Sequence, residues 1–286
     1  MNCRHCKEVL NYTFLDLGFA PPSNAYLQKD DLNKHEVYLP LKVKVCEKCW
    51  LVQTRDFADK KEFFSKDYAY FSSNSSFWLN HAKNYADKII KKEKLNRKSF
   101  VIEVASNDGY LLKNFVKKKI PCLGIEPAIN AAKKAENLGI LCEKFFLTHK
   151  SSNKIVKKYK KADLVIGNNV YAHVPDINDF TKSIEVLLKD EGVVTLEFPH
   201  LQNLIKYNQF DTIYHEHFSY LSLNTVQRIF EKNNLKIFKV EELNTHGGSL
   251  RIYGCKKKSK RTISSSVIKL SQKEIRFGLE KKETYI

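Results

Sequence analysis

From residue 99 onward the chain alternates short apolar segments with amphipathic ones, and this alternation limits the possible fold more than any other feature. Strand-like segments such as FVIEVA, CLGIEP and DLVIGNN are separated by helical segments such as AINAAKKAENLG, which Gly139 closes. Strands that alternate with helices pack as a mostly parallel sheet with helices on both of its faces. The sequence therefore predicts an α/β fold with a doubly wound sheet across residues 99–255.

The end of this region changes the order of the elements. A helix over DINDFTKSIEVLLKDEG is predicted to close at Gly192, where the strand VVTLEFP begins. A further helix, NTVQRIFEKNN, is followed by the two strands LKIFKVEEL and SLRIYGC, with no helical segment between them. Two strands in direct succession indicate an antiparallel hairpin, and we expect it to close one edge of the sheet.

Three further segments frame the predicted sheet. Residues 1–60 are predicted to form a small zinc-binding module with few strands, and residues 61–98 an aromatic-rich connector followed by a helix from Ser76 onward. Residues 256–286 combine a linker rich in lysine and serine with a lone helix, which is the expected start of a truncated C-terminal lobe. Helical spacing predicts the buried face of the connector's helix to be Trp78, Ala82, Tyr85, Ala86 and Ile89.

Seven cysteines are present, and four of them form two C-x-x-C pairs. In a chain expected in the reducing cytosol, two such pairs favour a tetrahedral zinc site over disulfides. Four thiolates leave no open position for a substrate, so the zinc is expected to be structural, and His5 is an alternative ligand that the site does not need. The predicted zinc ligands are Cys3, Cys6, Cys46 and Cys49.

The formal net charge of +17 raises the question of nucleic-acid binding. Only seven of the 49 basic residues are arginine, and the lysines are scattered along helical segments, so solvated helix faces are the favoured interpretation. No apolar run reaches membrane-spanning length, and the N-terminal residues lack the apolar core of a signal peptide. The chain is therefore expected to be cytoplasmic, with neither a membrane nor a nucleic acid as its partner.

The segment EVASNDG follows one predicted strand and precedes a helix. Glu103, Ala105, Asn107 and Gly109 have the spacing of the E-x-G-x-G-x-G turn of S-adenosylmethionine-dependent methyltransferases, although two of the three glycines are missing. Such a turn brings the backbone close to a cofactor at the carboxyl end of the first strand. An acidic residue that ends the next strand can bind both ribose hydroxyls, and Glu126 is at that position.

These two signals favour a nucleoside-type cofactor, and the missing glycine-rich pyrophosphate turn makes NAD the weaker alternative. The alternative interpretation of Asp108 is a helix N-cap, and that of Glu126 is a surface carboxylate at the end of a strand. The predicted cofactor-binding residues are Glu103, Ala105, Ser106, Asn107, Asp108, Gly109, Glu126, Pro127, Asn168 and Asn169.

Five segments, VIEVASNDGYLL, LGIEPAINAAKKAENLGI, NNVYAHVPDINDF, FDTIYHEHFSYLS and THGGSLRIY, follow the paired C-x-x-C motif in that order. With them the chain resembles the sugar C-methyltransferase family from Cys3 to about Tyr253. The resemblance implies a class I methyltransferase (Rossmann-like) sheet preceded by a small zinc-binding module, with S-adenosylmethionine and structural zinc as cofactors. It also implies a nucleotide-linked 4-keto-deoxysugar as substrate. Ala105 and His200 depart from the family's usual glycine and aromatic residue.

Methylation of carbon requires a carbanion, which a base can form beside a ketone if the enolate oxygen is stabilised. The resemblance assigns the role of general base to His217, with Tyr214 and Glu216 beside it. It assigns substrate or enolate contacts to His173 and to a tyrosine of KDYAYF, which we identify as Tyr68, with Tyr70 as the alternative. His173 also follows a predicted strand at the carboxyl edge of the sheet, where ligands bind in such folds.

In an extended segment, alternation would place Tyr214 and Glu216 on one side of the backbone, with His215 and His217 on the other. His215 is then expected to have a supporting role, because no third ligand accompanies the H-x-H pair to make a metal site. His246, before two glycines, is either a simple turn residue or part of a loop that faces the site.

Three other functions compete with sugar C-methylation. An O- or N-methyltransferase of small molecules would use the same cofactor without needing a base beside a ketone. A truncated, inactive homologue would bind the cofactor without turnover, and a zinc-ribbon protein that binds nucleic acid would account for the net charge. The sequence leaves the oligomeric state, the sugar and the nucleotide open.

Overall fold

The structure is a computed structural model that describes residues 1–23, 26–57 and 70–286. Tyr68 therefore lies outside the described residues, and Tyr70 is within them. In chain order the strands are β1 (Tyr12–Ala20), β2 (Leu39–Val45), β3 (Val52–Thr54), β4 (Val101–Val104), β5 (Cys122–Ile125), β6 (Leu141–Glu143), β7 (Ala162–Asn168), β8 (Leu188–Pro199), β9 (Ser219–Tyr220), β10 (Leu235–Leu243) and β11 (Ser249–Lys256). The α-helices are α1 (Ser76–Lys92), α2 (Lys113–Lys117), α3 (Ile129–Asn137), α4 (His149–Lys158), α5 (Ile177–Leu187), α6 (Leu201–Lys206), α7 (Leu223–Lys232) and α8 (Ser265–Phe277).

Seven strands form the larger sheet, in the order β10-β11-β8-β7-β4-β5-β6. Among the described strands of this sheet only β11 runs opposite to the others, and it pairs with β10 as the predicted hairpin. Strand order reverses between β4 and β7, and ligands of such sheets bind outside the carboxyl ends of the strands at that point. The predicted doubly wound α/β sheet is confirmed.

Two boundaries differ from the prediction: the end of the helix expected to close at Gly192, and the start of the strand after it. Helix α5 ends at Leu187, before Gly192, and β8 begins at once with Leu188 and runs for 12 residues. The residues after the helix are part of the sheet because β8 is an interior strand, paired with β7 on one side and with β11 on the other. Pairing across a sheet is a long-range interaction, so it can override a local helix signal.

Helix α1 forms as its sequence predicts. The side chain of Ser75 accepts a hydrogen bond from the backbone N–H of Trp78 at 3.2 Å and so caps the helix at its N-terminus. The apolar residues at helical spacing form its buried face, which packs on the larger sheet: Trp78, Ala82, Tyr85, Ala86 and Ile89. No helix in the described ranges is long and apolar enough to cross a membrane.

The N-terminal region contains more strands than the sequence predicted. Strands β1, β2 and β3 form an antiparallel sheet whose fourth strand is β9, and β9 comes from the distant segment at residues 219–220. This sheet was not predicted because its strands are irregular, with shifts of register between β1 and β2. The cysteine-rich region and the segment after FDTIYHEHF thus share one sheet.

Helix α8 was predicted to be a lone helix, but it is anchored through its buried residue Glu274. The Glu274 carboxylate accepts hydrogen bonds from the backbone N–H groups of Leu223 and Asn224, at 2.6 and 2.9 Å, at the start of α7. A carboxylate at this position satisfies free N–H groups and complements the helix dipole. The ring Nε2 of His200 lies 2.8 Å from the same carboxylate, which explains why a histidine replaces an aromatic residue after EFP.

Candidate functional site

A cavity of about 510 Å³ lies at the carboxyl ends of β4, β5, β7 and β8. Six of the predicted cofactor-binding residues line it: Ala105, Asn107, Glu126, Pro127, Asn168 and Asn169. Four of the predicted catalytic residues line the same cavity: His173, Tyr214, Glu216 and His217. The fold therefore brings the turn at residues 105–107 together with residues 214–217, which come much later in the sequence.

The turn after β4 keeps the backbone of a glycine-rich turn without most of its glycines. Ala105, Asn107 and Gly109, which occupy the three glycine positions of the motif, have φ angles of 55°, 48° and 79°. Positive φ is the region that glycine enters freely and other residues enter at a cost. A side chain at Gly109 would be crowded, because a Cβ there would lie 2.5 Å from Cδ1 of Ile140 and 3.2 Å from Cα of Ala135.

Glu126 joins this turn to the next strand. One carboxylate oxygen accepts the backbone N–H of Asn107 and the other accepts the N–H of Ala128, both at 2.8 Å. Each oxygen keeps a further lone pair, so the carboxylate can also accept hydrogen bonds from two hydroxyls of a ribose. Burial raises the pKa of Glu126 to about 7, despite the two N–H groups that favour its ionised form.

Four predicted cofactor-binding residues lie outside the cavity wall: Glu103, Ser106, Asp108 and Gly109. Glu103 is buried, and burial together with the carboxylates of Glu126 and Asp108 raises its pKa well above the usual range. Asp108 is not a helix N-cap, because α2 begins only at Lys113; its carboxylate instead accepts the backbone N–H of Ser73 at 3.2 Å.

This edge of the sheet has the unsatisfied groups that a polar cofactor would engage. Buried side-chain atoms of two residues that line the cavity, Asn168 and Asn169, make no hydrogen bond to any described residue. Buried polar atoms of this kind are costly unless a ligand or water satisfies them. Together with Glu126, they fit the ribose, amino and carboxylate groups of S-adenosylmethionine.

His217 is held in a defined tautomer. Its Nδ1 lies 2.8 Å from the carbonyl oxygen of Thr212, which only accepts, so Nδ1 carries the proton. Its Nε2 therefore accepts the hydrogen bond from the Tyr214 hydroxyl, at 2.7 Å. Burial, supported by the neighbouring rings of His173 and His246, keeps the pKa of His217 well below its usual range, so the imidazole is neutral near pH 7.

His173 lies beside His217, with 4.6 Å between the ring centroids. Its Nδ1 donates a hydrogen bond to the carbonyl oxygen of Glu216 at 3.0 Å, and burial lowers the pKa of His173 to about 4. The carboxylate of Glu216 accepts the hydroxyl of Ser23 at 2.6 Å. Two neutral imidazoles and a carboxylate thus face one cavity.

The predicted alternation along YHEHF is wrong. Tyr214, Glu216 and His217 all face the cavity, because the backbone N–H of His217 bonds to the Tyr214 carbonyl at 3.0 Å and closes a turn. His215 faces the other way, where its Nε2 lies 3.2 Å from the carbonyl oxygen of Leu39. His215 therefore ties this turn to β2, which agrees with the supporting role expected of it.

The sequence left open whether His246 is a simple turn residue or part of a loop that faces the site, and the structure shows both features. Its φ angle is 50°, it lines the cavity, and it lies edge-on to the ring of Trp78 at 5.1 Å. Tyr70, the alternative to Tyr68 for the substrate contact, lines the cavity as well, and so does Trp78, which the sequence did not predict there. A role of Trp78 in the cavity could not be recognised from the sequence, because its position also fits the buried face of α1.

A buried ion pair behind this wall was also missed. Glu197, at the end of β8, bonds to the guanidinium of Arg251, its partner on β11, and its carboxylate lies 3.0 Å from Nε2 of His81. The Trp78 ring stacks on His81 with 4.8 Å between centroids. The sequence could have indicated this ion pair, because the largely apolar segments VVTLEFP and SLRIYGC each contain one charged residue. Unpaired charges are rare in such positions.

The predicted metal ligands come together at the N-terminal end. Their four sulfur atoms lie within 4.8 Å of one another, close to the spacing of about 3.8 Å expected for thiolates around zinc: Cys3, Cys6, Cys46 and Cys49. Each C-x-x-C turn is closed in the same way, with Lys7 and Trp50 at φ angles of 68° and 62° just after the pair. His5 is not part of this cluster, and its Nδ1 lies 2.9 Å from the side-chain oxygen of Asn178. Four thiolates form a closed, structural zinc site.

Comparison with known proteins agrees with this architecture. Three family models match the chain: a zinc binding domain at residues 3–64, a methyltransferase domain at residues 77–240 and a C-methyltransferase C-terminal domain at residues 244–286. The C-methyltransferase NovU from Streptomyces niveus is 30% identical over 277 residues, which is 97% of this chain. The chain spans 66% of the length of that relative.

Solved structures share the fold at low identity. An S-adenosylmethionine-dependent methyltransferase from Clostridium acetobutylicum matches with a TM-score of 0.50 and 12% identity, covering 62% of this chain and 91% of the other. A methyltransferase from Thermotoga maritima matches with a TM-score of 0.50 and 16% identity, covering 70% of this chain and all of the other. The predicted class I fold and its cofactors, S-adenosylmethionine and structural zinc, are confirmed. The chain belongs to the S-adenosylmethionine-dependent methyltransferases that carry a zinc-binding module before the methyltransferase domain.

Proposed function

We propose that the protein is a C-methyltransferase that acts on the carbon beside the ketone of a nucleotide-linked 4-keto-deoxysugar. The observation that carries the proposal is the pair of Tyr214 and His217, which shares one cavity with the cofactor turn. The similarity to a C-methyltransferase and the matched C-methyltransferase C-terminal domain favour carbon as the acceptor over oxygen or nitrogen.

The pair supplies the two functions that enolate formation needs. When the Tyr214 hydroxyl turns from His217 to the ketone oxygen of the substrate, it donates a hydrogen bond there and frees Nε2 of His217. Nε2 then accepts the proton from the neighbouring carbon, while Thr212 keeps the other nitrogen protonated. The cofactor, when bound, supplies the electrophilic methyl group. Both roles depend on orientation in a closed cavity, where fixed donors act more strongly than in water.

The low pKa of His217 makes it a weak base in the free protein. A base of this kind removes a proton from carbon only while the enolate oxygen is stabilised, so Tyr214 has to act in the same step. Binding of an anionic nucleotide sugar beside His217 and His173 would favour the protonated imidazole and raise these pKa values. We therefore expect proton removal to be fast only in the presence of the complete substrate. We assign the further substrate contacts to Glu216 and to the tyrosine at position 68.

A proton-exchange experiment tests the base separately from methyl transfer. A nucleoside diphosphate-linked 4-keto-deoxysugar is incubated in D2O with the protein and S-adenosylhomocysteine, and deuterium uptake beside the ketone is followed by NMR. Uptake catalysed by the wild type but not by His217→Asn is the expected result. Uptake that is equal in both proteins would contradict the assignment of the base.

Product analysis tests the acceptor atom. With S-adenosylmethionine labelled at the methyl carbon with carbon-13, C-methylation gives a product whose labelled methyl couples to a sugar carbon. A methyl attached to oxygen or nitrogen would contradict the proposal and favour the small-molecule O- or N-methyltransferase. Binding of the cofactor without exchange or turnover would favour the inactive homologue.

A further inference from the structure

Arg4 lies between the two cysteines of the first C-x-x-C turn, and its side chain extends away from that turn to other segments of the chain. It is buried, and its guanidinium donates to the carbonyl oxygens of Phe218 at 3.1 Å, Pro175 at 3.0 Å and Thr54 at 2.8 Å. Asp56 forms an ion pair with the same group, and the guanidinium lies 5.0 Å from the centre of the Phe218 ring. One side chain thus joins four segments of the chain.

Two of these acceptors lie next to the histidines of the cavity. Phe218 directly follows His217, and Pro175 comes two residues after His173. The backbone N–H of Phe218 also bonds to the carbonyl of Ala172 at 2.8 Å, so the two histidine segments are already in contact. Arg4 bonds to both segments from outside the cavity, just behind the pair of rings.

The zinc-binding module holds this region at a second point. The hydroxyl of Thr54 donates to the carbonyl oxygen of His217 at 2.9 Å. Shortly after His217 in the chain, β9 pairs with β3, the strand that ends at Thr54. Arg4 is in turn fixed by the metal-binding turn, since its backbone N–H bonds to the side chain of Gln53 at 2.9 Å, and Gln53 contacts the sulfur of Cys3 at 3.3 Å.

We infer that Arg4 is a positioning residue, through which the zinc-binding turn sets the placement of His217 and His173 in the cavity. The inference rests on the proposed roles of these two histidines. Arginine suits this task because its planar group donates in several fixed directions, whereas a lysine bonds as a single point charge. The zinc-binding turn at residues 3–6 then contributes to proton transfer without lining the cavity.

Arg228 offers a matched control. Its guanidinium donates to the carbonyl of Cys49 at 3.1 Å and pairs with Glu280 at 2.7 Å, so it also binds a zinc-binding turn from another part of the chain. Its described hydrogen bonds reach no residue of the cavity wall. Arg4→Lys and Arg228→Lys therefore make the same chemical change at two anchors of the module, one behind the cavity and one away from it.

The zinc-loaded full chain is measured in each form by amide hydrogen exchange over residues 212–220, zinc content, S-adenosylhomocysteine affinity and turnover. For Arg4→Lys we expect at least tenfold faster exchange at residues 217–219 and at least a tenfold lower kcat. Zinc content should stay at one per chain and cofactor affinity within twofold. For Arg228→Lys all four values should stay near those of the wild type.

Thr54→Val is the second variant, because it removes the bond to the His217 carbonyl without changing a cysteine turn. It should show the same pattern as Arg4→Lys with a smaller effect, and it decides the matter if Arg4→Lys loses zinc. Unchanged exchange and kcat in Thr54→Val and in zinc-loaded Arg4→Lys would overturn the inference. Absence of turnover in the wild type would contradict the proposed function instead, and the exchange rates would still decide the role of Arg4.

Discussion

The two halves of the cavity wall are built in different ways. The cofactor turn is held by residues close to it in sequence: Ala105 bonds to Ile125 at 2.8 Å, and Glu126 binds the backbone of Asn107. The segment with His217 is held from far away, since the Thr54 hydroxyl that binds its carbonyl is 163 positions earlier. The proposed cofactor turn is thus held mainly by nearby sequence, whereas the segment with the proposed base also depends on a contact from a distant part of the chain.

This difference separates two properties that mutations should affect independently. Changes in the His217 segment should reduce turnover and leave cofactor affinity intact, whereas changes at the cofactor turn should act on affinity or stability. Four predictions test this separation, in order of decreasing effect.

His217→Asn should reduce turnover by about a thousandfold, within the range of roughly 100- to 10,000-fold contributed by general bases. Asparagine keeps a polar side chain but cannot accept a proton from carbon. S-adenosylhomocysteine affinity, measured by calorimetry, should stay within twofold of the wild type. His215→Asn is the matched control, because His215 faces β2 and its replacement should cost far less activity. Turnover that survives in His217→Asn would refute its role as base.

Glu126→Gln should act on cofactor binding instead of the base. We expect it to reduce cofactor affinity by roughly 10- to 100-fold, as expected for lost hydrogen bonds to a charged group. Calorimetry with S-adenosylhomocysteine measures the loss. Glu136→Gln is the control, since Glu136 is on α3 and pairs only with the surface residue Lys144 among its described partners. Equal affinity in the two variants would contradict the ribose-binding role of Glu126.

Features that depend on nearby residues were also easier to predict from the sequence than features that depend on distant contacts. The strand-helix alternation, the buried face of α1 and the zinc ligands could be predicted, because each depends on spacing within a short segment. The pairing of β3 with β9 could not, since two-residue strands have no periodicity. The sequence misplaced His217 relative to Tyr214 because this segment closes a turn and is not extended, and it could not predict the bond of His200 to Glu274, which is 74 positions away.

The pH dependence of cofactor affinity should report on Glu126. Its pKa of about 7 in the free protein means that acidification through pH 7 protonates the carboxylate, which then accepts hydrogen bonds from ribose less well. Affinity should therefore fall as the pH decreases below 7, by up to about tenfold per pH unit. The Glu126→Gln variant should show a flat profile between pH 6 and 8. A profile in the wild type that is equally flat would mean that Glu126 does not titrate in this range.

Ala105→Gly should have the smallest effect, and it should be stabilising. Ala105 has a φ angle of 55°, where a residue with a Cβ is disfavoured by about 1 kcal/mol relative to glycine. Glycine also has more freedom in the unfolded chain, which offsets part of this gain, so we expect a net increase of up to about 1 kcal/mol in the free energy of unfolding. Denaturant titration measures it, with Ala135→Gly inside α3 as the control that should be destabilising by roughly 1 kcal/mol. Cofactor affinity and turnover should not change in Ala105→Gly, because the alanine and glycine turns present the same backbone to the cofactor. A loss of affinity would mean that the methyl group of Ala105 itself contacts the cofactor, and the turn would then contribute a side chain as well as its backbone.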